Sequence, residues 1–442
     1  MGLGLLGRGI GDVRTLASCS AKLLVTDLKS KEVLAPSLAA LKDFPDIAYV
    51  LGEHRLEDFQ ECDMVLKAAG VPLDSVYVAE ARSHSIPIKM SGALFTEISG
   101  IPIIGITGTR GKSTVTHLIH HVLSQMTDGE ILLGGNVRGV SNLALLEKIT
   151  EESIAVMELD SWQLQGFGEQ RISPQIAVFT NFLDDHLNYY KNDRDVYFAD
   201  KAQIFLHQGP GDTFITTPEV FARAEAYTSA RGVTFAQEVV LVDESLVPED
   251  WTLPLRGHHN RLNIALALAA LRASGLEDEA IQSGIETFKG LPGRLEFLGE
   301  YKGVKVYNDN NATTPDATIA ALRALGEDTP DKKNIVLIMG GDDKNLDMSK
   351  LLAEVPRFCS QVVLFKERGT ERVKDAIFAM EKDGIDLYEE EGLVPTVERA
   401  FSVAKPGDII LYSPAFTSFG KYFNNEYDRN DQFVAAVKVL TT

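Results

Sequence analysis

The sequence is short of several residues and patterns that mark common protein classes. It has three cysteines in 442 residues, Cys19, Cys62 and Cys359. No two have metal-ligand spacing and an odd number suggests no disulfide framework, so each reads as a small buried apolar side chain. Positive charge is also scarce: 43 Lys and Arg stand against 63 Asp and Glu, a formal net charge of −20. Nonspecific binding to nucleic acid or to an acidic membrane needs a positive surface, and both are excluded on this ground. An anionic substrate in a local basic pocket is not. No apolar run reaches the ~20 residues that span a bilayer, and no basic segment precedes an apolar stretch at the N-terminus. The expected location is the cytoplasm, without stable membrane insertion, and the chain is expected to act as a monomer on small molecules. Internal repeats and low-complexity segments are absent.

What is present is an alternation. Ten short runs rich in Val and Ile, five of them ending in Gly, Asp or Asn, alternate with helical patterns: 21–27, 62–68, 101–108, 153–159, 175–181, 212–217, 303–309, 333–341, 361–365 and 407–414. Such runs are typical of buried parallel strands. The helices between them include 113–126 and 260–275. The fold class is therefore α/β, with mainly parallel sheets flanked by helices and ligands at the carboxyl ends of strands. A chain of this length favours two or three domains. Boundaries fall near residue 98, where a strand run begins, and near 290, at the turn "KGLPGR". These give domains 1–98, 99–290 and 291–442.

The stretch "GITGTRGKST" (105–114) joins a strand run to a helical pattern. A standard P-loop has glycine five residues before Gly111, where this chain has Ile106. A loop at a helix N-terminus nonetheless offers free N–H groups and a dipole to anions. Residues Gly108, Thr109, Arg110, Gly111, Lys112, Ser113 and Thr114 are the expected ATP-binding loop. Lys112 would reach the β- and γ-phosphates, and Ser113 or Thr114 can ligate Mg²⁺. Glu158 ends an otherwise apolar run, where a carboxylate is costly to bury unless it meets a cation. Asn181, Asp185 and His186 follow another run, and Lys201 lies in a helical pattern. Taken singly, His186 is more readily a satisfied polar side chain and Lys201 a solvated one.

The blocks "GITGTRGKST", "ELDSWQL", "TNFLDDHL", "DKAQIF", "GHHNRLN", "LPGRLE", "NDNNATTPDAT", "GGDDKNLD" and "SPAFTSF" occur in this order along the chain. Their order and content resemble the Mur ligases, ATP-dependent amide-forming ligases of peptidoglycan precursor synthesis, over nearly the whole length. The resemblance implies three domains binding UDP, ATP and amino acid, the central one carrying the P-loop. It implies phosphorylation of a substrate carboxylate by ATP and attack of an amino acid's nitrogen on the acyl phosphate. Glutamate, as the D isomer, would be added to UDP-N-acetylmuramoyl-L-alanine. Lys112, His186 and Lys201 would be catalytic. Ser113, Glu158, His186 and Lys201 would hold two Mg²⁺, with Lys201 carbamylated by CO₂ so that it becomes an anion.

Asn260, Asn263, Arg294 and Asp309 would complete the ATP site. Thr313, Lys344, Ser418 and Phe419 would surround the amino acid, and Asn136 would touch the UDP-sugar. Departures from the family pattern are Arg110 for Asn, Asn311 for Lys, Asp160 for Ser, Ala68–Ala69 for Ser-Pro, and Gly420 and Asn425 for Asp and an aromatic. They bear on the identity and stereochemistry of the amino acid more than on the ATP chemistry.

The N-terminus carries G-x-G-x-x-G at Gly2, Gly4 and Gly7, with Asp27 twenty residues on. A dinucleotide-binding reading requires a strand before the first glycine, and only Met1 precedes it. In the resembling family a similar loop binds UDP, with Leu5, Leu6 and Asp27 as contacts here. That family has a strand ahead of the loop, so either the strand is missing or the start is misassigned. A missing strand would leave a neighbour unpaired. The competing functions are another Mur-type ligase with a different amino acid or acceptor, a more distant folylpolyglutamate synthetase, a P-loop kinase or ATPase, and a nicotinamide-dependent oxidoreductase.

Overall fold

A computed structural model gives the fold, describing residues 1–5, 7–185, 189–326 and 333–441. The chain forms two compact units: Met1–Thr252 with Leu262–Phe288, and Leu253–Arg261 with Lys289–Thr442. Each of the ten strand runs read from the sequence contains a strand, and the two helical patterns form helices at Lys112–Met126 and His258–Ala273.

The first unit opens with four short strands, β1 (Leu24–Asp27), β2 (Ala48–Leu51), β3 (Val65–Leu66) and β4 (Ile88–Lys89). β1 pairs with β2 and β3 with β4, all parallel. Met1 and Gly2 supply backbone bonds to both pairs. The Gly2 N–H donates to Thr26 O at 2.8 Å, the Met1 amine to Leu66 O at 2.9 Å, and the Ala68 N–H to Met1 O at 2.9 Å. These bonds satisfy backbone groups of β1 and β3 that a strand in that place would satisfy.

The same unit holds a six-stranded parallel sheet in the order β10-β9-β8-β5-β7-β6. Its strands are β5 (Ile103–Thr107), β6 (Ile131–Gly135), β7 (Ile154–Glu158), β8 (Ile176–Phe179), β9 (Thr213–Thr216) and β10 (Glu238–Leu241). β5 lies at the centre and all five of its residues are buried, as expected of a strand covered on both faces. Phe179, Phe198, Phe205 and Phe214 are essentially inaccessible and dominate one core cluster. Because all six strands run the same way, the residues after β5, β7 and β8 emerge at one edge of the sheet.

The second unit is a six-stranded sheet in the order β11-β12-β16-β13-β14-β15. The strands are β11 (Glu296–Tyr301), β12 (Val304–Asn308), β13 (Ile335–Gly340), β14 (Cys359–Phe365), β15 (Asp386–Glu390) and β16 (Ile409–Tyr412). Only the β11–β12 hairpin is antiparallel. Alternate residues feed separate cores: Leu337, Met339 and Leu364 enter one, Val336, Ile338 and Val363 the other. That two-sided burial explains the unbroken apolar run "IVLIM".

Candidate active site

The loop between β5 and the helix Lys112–Met126 is shaped by two glycines. Gly108 and Gly111 have φ of 140° and 83°, conformations that L side chains rarely adopt. A Cβ added at Gly108 would overlap Thr180 Oγ1, and one at Gly111 would overlap Asn263 Oδ1. The end of β8 scaffolds the loop. Thr109 N–H donates to Asn181 O and Arg110 N–H to Asn181 Oδ1, both at 2.9 Å. The Thr180 hydroxyl and the Asn181 amide both donate to Arg110 O. Gly111 caps the helix with no side-chain hydrogen bond, so the first turn keeps its capacity for an anion.

Two lysines converge under this loop. Lys112 Nζ donates to Gly108 O and Thr109 O, each at 3.1 Å. Lys201, from the helix Arg194–Ala202, is 1% exposed and donates to Gly108 O at 2.8 Å. Desolvation lowers the basicity of both, and the charge of Lys112 lowers that of Lys201 further. Lys201 is thus a buried amine biased toward its neutral form, unlike the solvated residue its helical pattern suggests.

Glu158 ends β7 and is 5% exposed. Asn136 meets it twice: Asn136 N–H donates to Glu158 O at 2.7 Å, and its side-chain amide reaches Glu158 Oε1 at 3.4 Å. Asp160 caps the next helix, Ser161–Gln170, in a reciprocal capping box with Gln163. Arg110 pairs with Asp185 at 2.9 Å. An aromatic ladder runs from Trp162 through Tyr189 and Tyr190 to Tyr197, at centroid spacings of 5.4, 4.9 and 4.9 Å. It ends 3.4 Å from the Thr109 hydroxyl and 5.0 Å from Lys201 Nζ, which lies over the Tyr197 ring.

The N-terminal loop is held by Asp27, which accepts from Gly4 N–H at 2.9 Å and Lys29 N–H at 2.8 Å. Gly2, Gly4 and Gly7 all have positive φ, and Gly7 caps the helix Arg8–Ser18. Leu5 is exposed beside it. Arg8 Nε donates to Val137 O at 3.3 Å, bringing this loop to the turn that carries Asn136. Leu6 and His186 lie outside the described residues.

In the second unit Asp309 follows β12 and is buried, accepting from Ser413 Oγ at 2.8 Å and Leu295 N–H at 3.1 Å. Burial pushes its carboxyl up to about 7. Its hydrogen bond to Leu295 places it beside the turn that carries Arg294. Lys344 Nζ lies 3.3 Å from Thr313 Oγ1, so those two predicted residues meet. Ser418 is buried and Phe419 exposed on one turn. Asn260 Nδ2 donates to Arg256 O at 2.8 Å within this unit, whereas Asn263, one helical turn on, packs at Gly111 in the first.

Sequence reading overlooked Lys67, which is 2% exposed, donates to Val71 O at 2.7 Å and is lowered to about 8 by burial. The signal was available, since a lysine closes the apolar run "DMVLK". It also overlooked Arg429, buried in a polar helix, where no local pattern marks it.

Among the described residues no three His, Cys, Asp or Glu side chains form a ready metal cage. Mg²⁺ does not require one, since it is commonly held by one or two carboxylates, phosphate oxygens and water. The donor chemistry of Ser113 and buried Glu158, beside a glycine loop that a Cβ would fill, fits Mg²⁺ with a nucleotide.

Residues 106–271 match the Mur ligase middle domain, and residues 293–416 match the Mur ligase, glutamate ligase domain. The chain is 36% identical to the UDP-N-acetylmuramoylalanine–D-glutamate ligase of Roseiflexus sp., covering all of this chain and 98% of the relative. It is 35% identical to the ligase of that name from Borreliella burgdorferi (strain ZS7), covering 100% and 97%. Among solved structures, UDP-N-acetylmuramate–alanine ligase MurC from Thermotoga maritima shares the fold with a TM-score of 0.60 at 20% identity, covering 99% and 98%. E. coli FolC in complex with ADP follows at 0.58 and 18%, covering 79% and 93%. With full-length identity above 30% to curated members, the chain belongs to the Mur ligase family of ATP-dependent amide ligases.

Proposed function

We propose that this ligase joins D-glutamate to UDP-N-acetylmuramoyl-L-alanine during cytoplasmic synthesis of the peptidoglycan precursor. The observation that carries the reading is the pair of lysines, half-buried Lys112 and buried Lys201, donating to one carbonyl of the glycine loop. The named activity of the full-length relatives supports the choice of substrates.

The chemistry follows from charge. A carboxylate is a poor electrophile, so a carboxylate oxygen attacks the γ-phosphorus of ATP and ADP leaves. The amino nitrogen of glutamate then attacks the acyl carbon, phosphate leaves with the bonding pair, and the nitrogen loses a proton. Lys112 and the loop N–H groups hold the phosphates where negative charge develops. Ser113, Glu158, His186 and Lys201 would hold Mg²⁺. Two such ions, if held there, would supply positive charge that offsets the phosphates and the substrate carboxylate. Lys201 is suited to carbamylation because only a neutral amine adds CO₂, and the carbamate would convert repulsion from Lys112 into attraction. Asn260, Asn263, Arg294 and Asp309 would grip the nucleotide. Leu5, Leu6, Asp27 and Asn136 would grip the UDP-sugar, and Thr313, Lys344, Ser418 and Phe419 the glutamate. In this reading the domains are 1–98, 99–290 and 291–442, and the working unit is a monomer.

Phosphate release from ATP and Mg²⁺ is the test. Sustained turnover is expected only with both UDP-N-acetylmuramoyl-L-alanine and D-glutamate. Equal turnover with neither overturns the ligase reading, and equal rates with L-glutamate overturn the stereochemistry.

A further inference from the structure

The turn after β16 is fastened unevenly. Its first half is tied by backbone bonds: Gly340 N–H to Pro414 O, Ala415 N–H to Ala312 O, and a reciprocal pair between Asp342 and Thr417. Its second half, residues 418–421, has a single long-range hydrogen bond among the described residues, from Lys421 N–H to Glu367 Oε1 at 2.5 Å. Glu367 follows β14 and is 8% exposed, and its Oε2 has no hydrogen-bond partner. A half-satisfied buried carboxylate is expensive, and burial is the main cause of its raised affinity for a proton.

Gly420 explains why this carboxylate fits. A Cβ added there would overlap Glu367 Oε1, and Gly420 has no left-handed backbone, so space rather than torsion demands glycine. The neighbours of Glu367 hold the same region. Arg368 grips Asp342 with two hydrogen bonds of 2.8 and 3.0 Å, and Gly369 N–H donates to Gly341 O. One short segment therefore buttresses both the loop starting at Gly341 and the far half of the 418–421 turn.

We propose that Glu367 is a positioning residue that sets amino-acid specificity: its carboxylate, wedged beneath Gly420, fixes the turn that presents Ser418 and Phe419. This rests on the reading of that turn as part of the amino-acid site. Glu367 does not touch substrate in this assignment; it acts through the Lys421 N–H and the space left at Gly420.

The test is steady-state kinetics of the full chain with each substrate varied in turn. In E367A the KM for D-glutamate is expected to rise roughly tenfold or more, with the KM values for ATP and the UDP-sugar within about twofold. E367Q keeps an oxygen for Lys421 N–H and is expected to stay within about threefold of wild type. Should E367A not fold, G420A displaces the same carboxylate and is expected to show the same selective rise. An unchanged KM for glutamate in the folded variants, or equal rises for all three substrates, overturns the inference. Failure of the underlying reading looks different: wild-type turnover would itself be indifferent to glutamate.

Discussion

Lys112 Nζ and Lys201 Nζ donate to the same acceptor, the carbonyl oxygen of Gly108, at 3.1 and 2.8 Å. Two ammonium groups on one carbonyl would repel, and desolvation penalises the charged form of each, which biases buried Lys201 toward the neutral amine. The arrangement is relieved when phosphates neutralise Lys112 and when Lys201 is neutral or anionic.

Removing either lysine is therefore expected to abolish ligation, each for a different reason. K112A is expected to lower ligation by about a thousandfold through lost stabilisation of developing phosphate charge. K201M is expected to be equally inactive while folding normally, because an apolar chain of similar length fills the buried site. Phosphate release and thermal unfolding measure the two effects. Native mass spectrometry should show a CO₂ adduct on the wild type that K201M lacks. An unmodified, fully active wild type would remove the carbamate from the mechanism.

Asp309 makes stability depend on pH. Its folded value is about 7 against an ordinary 3.8. The folded state holds the proton more tightly, so its stabilising effect is full below about pH 4, declines as pH rises to about 7, and is absent above. The decline is on the order of 4 kcal/mol. D309N abolishes it. Denaturant unfolding at pH 4.5, 6 and 8 should show wild type losing stability relative to D309N as pH rises; parallel curves would contradict this.

Arg429 is 1% exposed and donates to Asn310 Oδ1 at 2.8 Å, Asn310 O at 2.7 Å and Phe416 O at 3.1 Å. R429A strands three buried acceptors and leaves a cavity. A loss of about 3 kcal/mol is expected, read as a melting transition lower by roughly 6–12 °C. R429K keeps the charge but not the three-way geometry and should recover only part of this.

Asp27 serves the N-terminal loop, not the phosphate loop. D27A removes the acceptor for Gly4 and Lys29 N–H groups. The KM for the UDP-sugar is expected to rise about tenfold while that for ATP stays within about twofold. A matching rise for ATP would assign Asp27 a general structural role.

The legible parts of the sequence were those set by local physics. β5 and β13 announced themselves because strands covered on both faces need continuous apolar residues. The glycine loop was legible because phosphate-binding backbone leaves few residue choices. β6, "ILLGG", was missed because only three apolar residues precede its glycines, and β15, "DLYEE", because an edge strand tolerates charge. β11 was missed because its pairing is irregular between Phe297 and Gly299. Residues whose environment comes from distant segments left no local trace: nothing near Lys201 reveals Gly108, 93 positions away. Arg429 likewise meets Asn310 across 119 positions.

The rings that climb from Trp162 to Tyr197 also give the molecule an optical gauge of its own phosphate loop. The chain has only two tryptophans, Trp162 and Trp251. With Trp251 replaced by phenylalanine, emission would come from the indole at the head of that ladder, fed by excitation passed from the neighbouring tyrosines. Nucleotide loading could then be followed in solution by fluorescence, without a label.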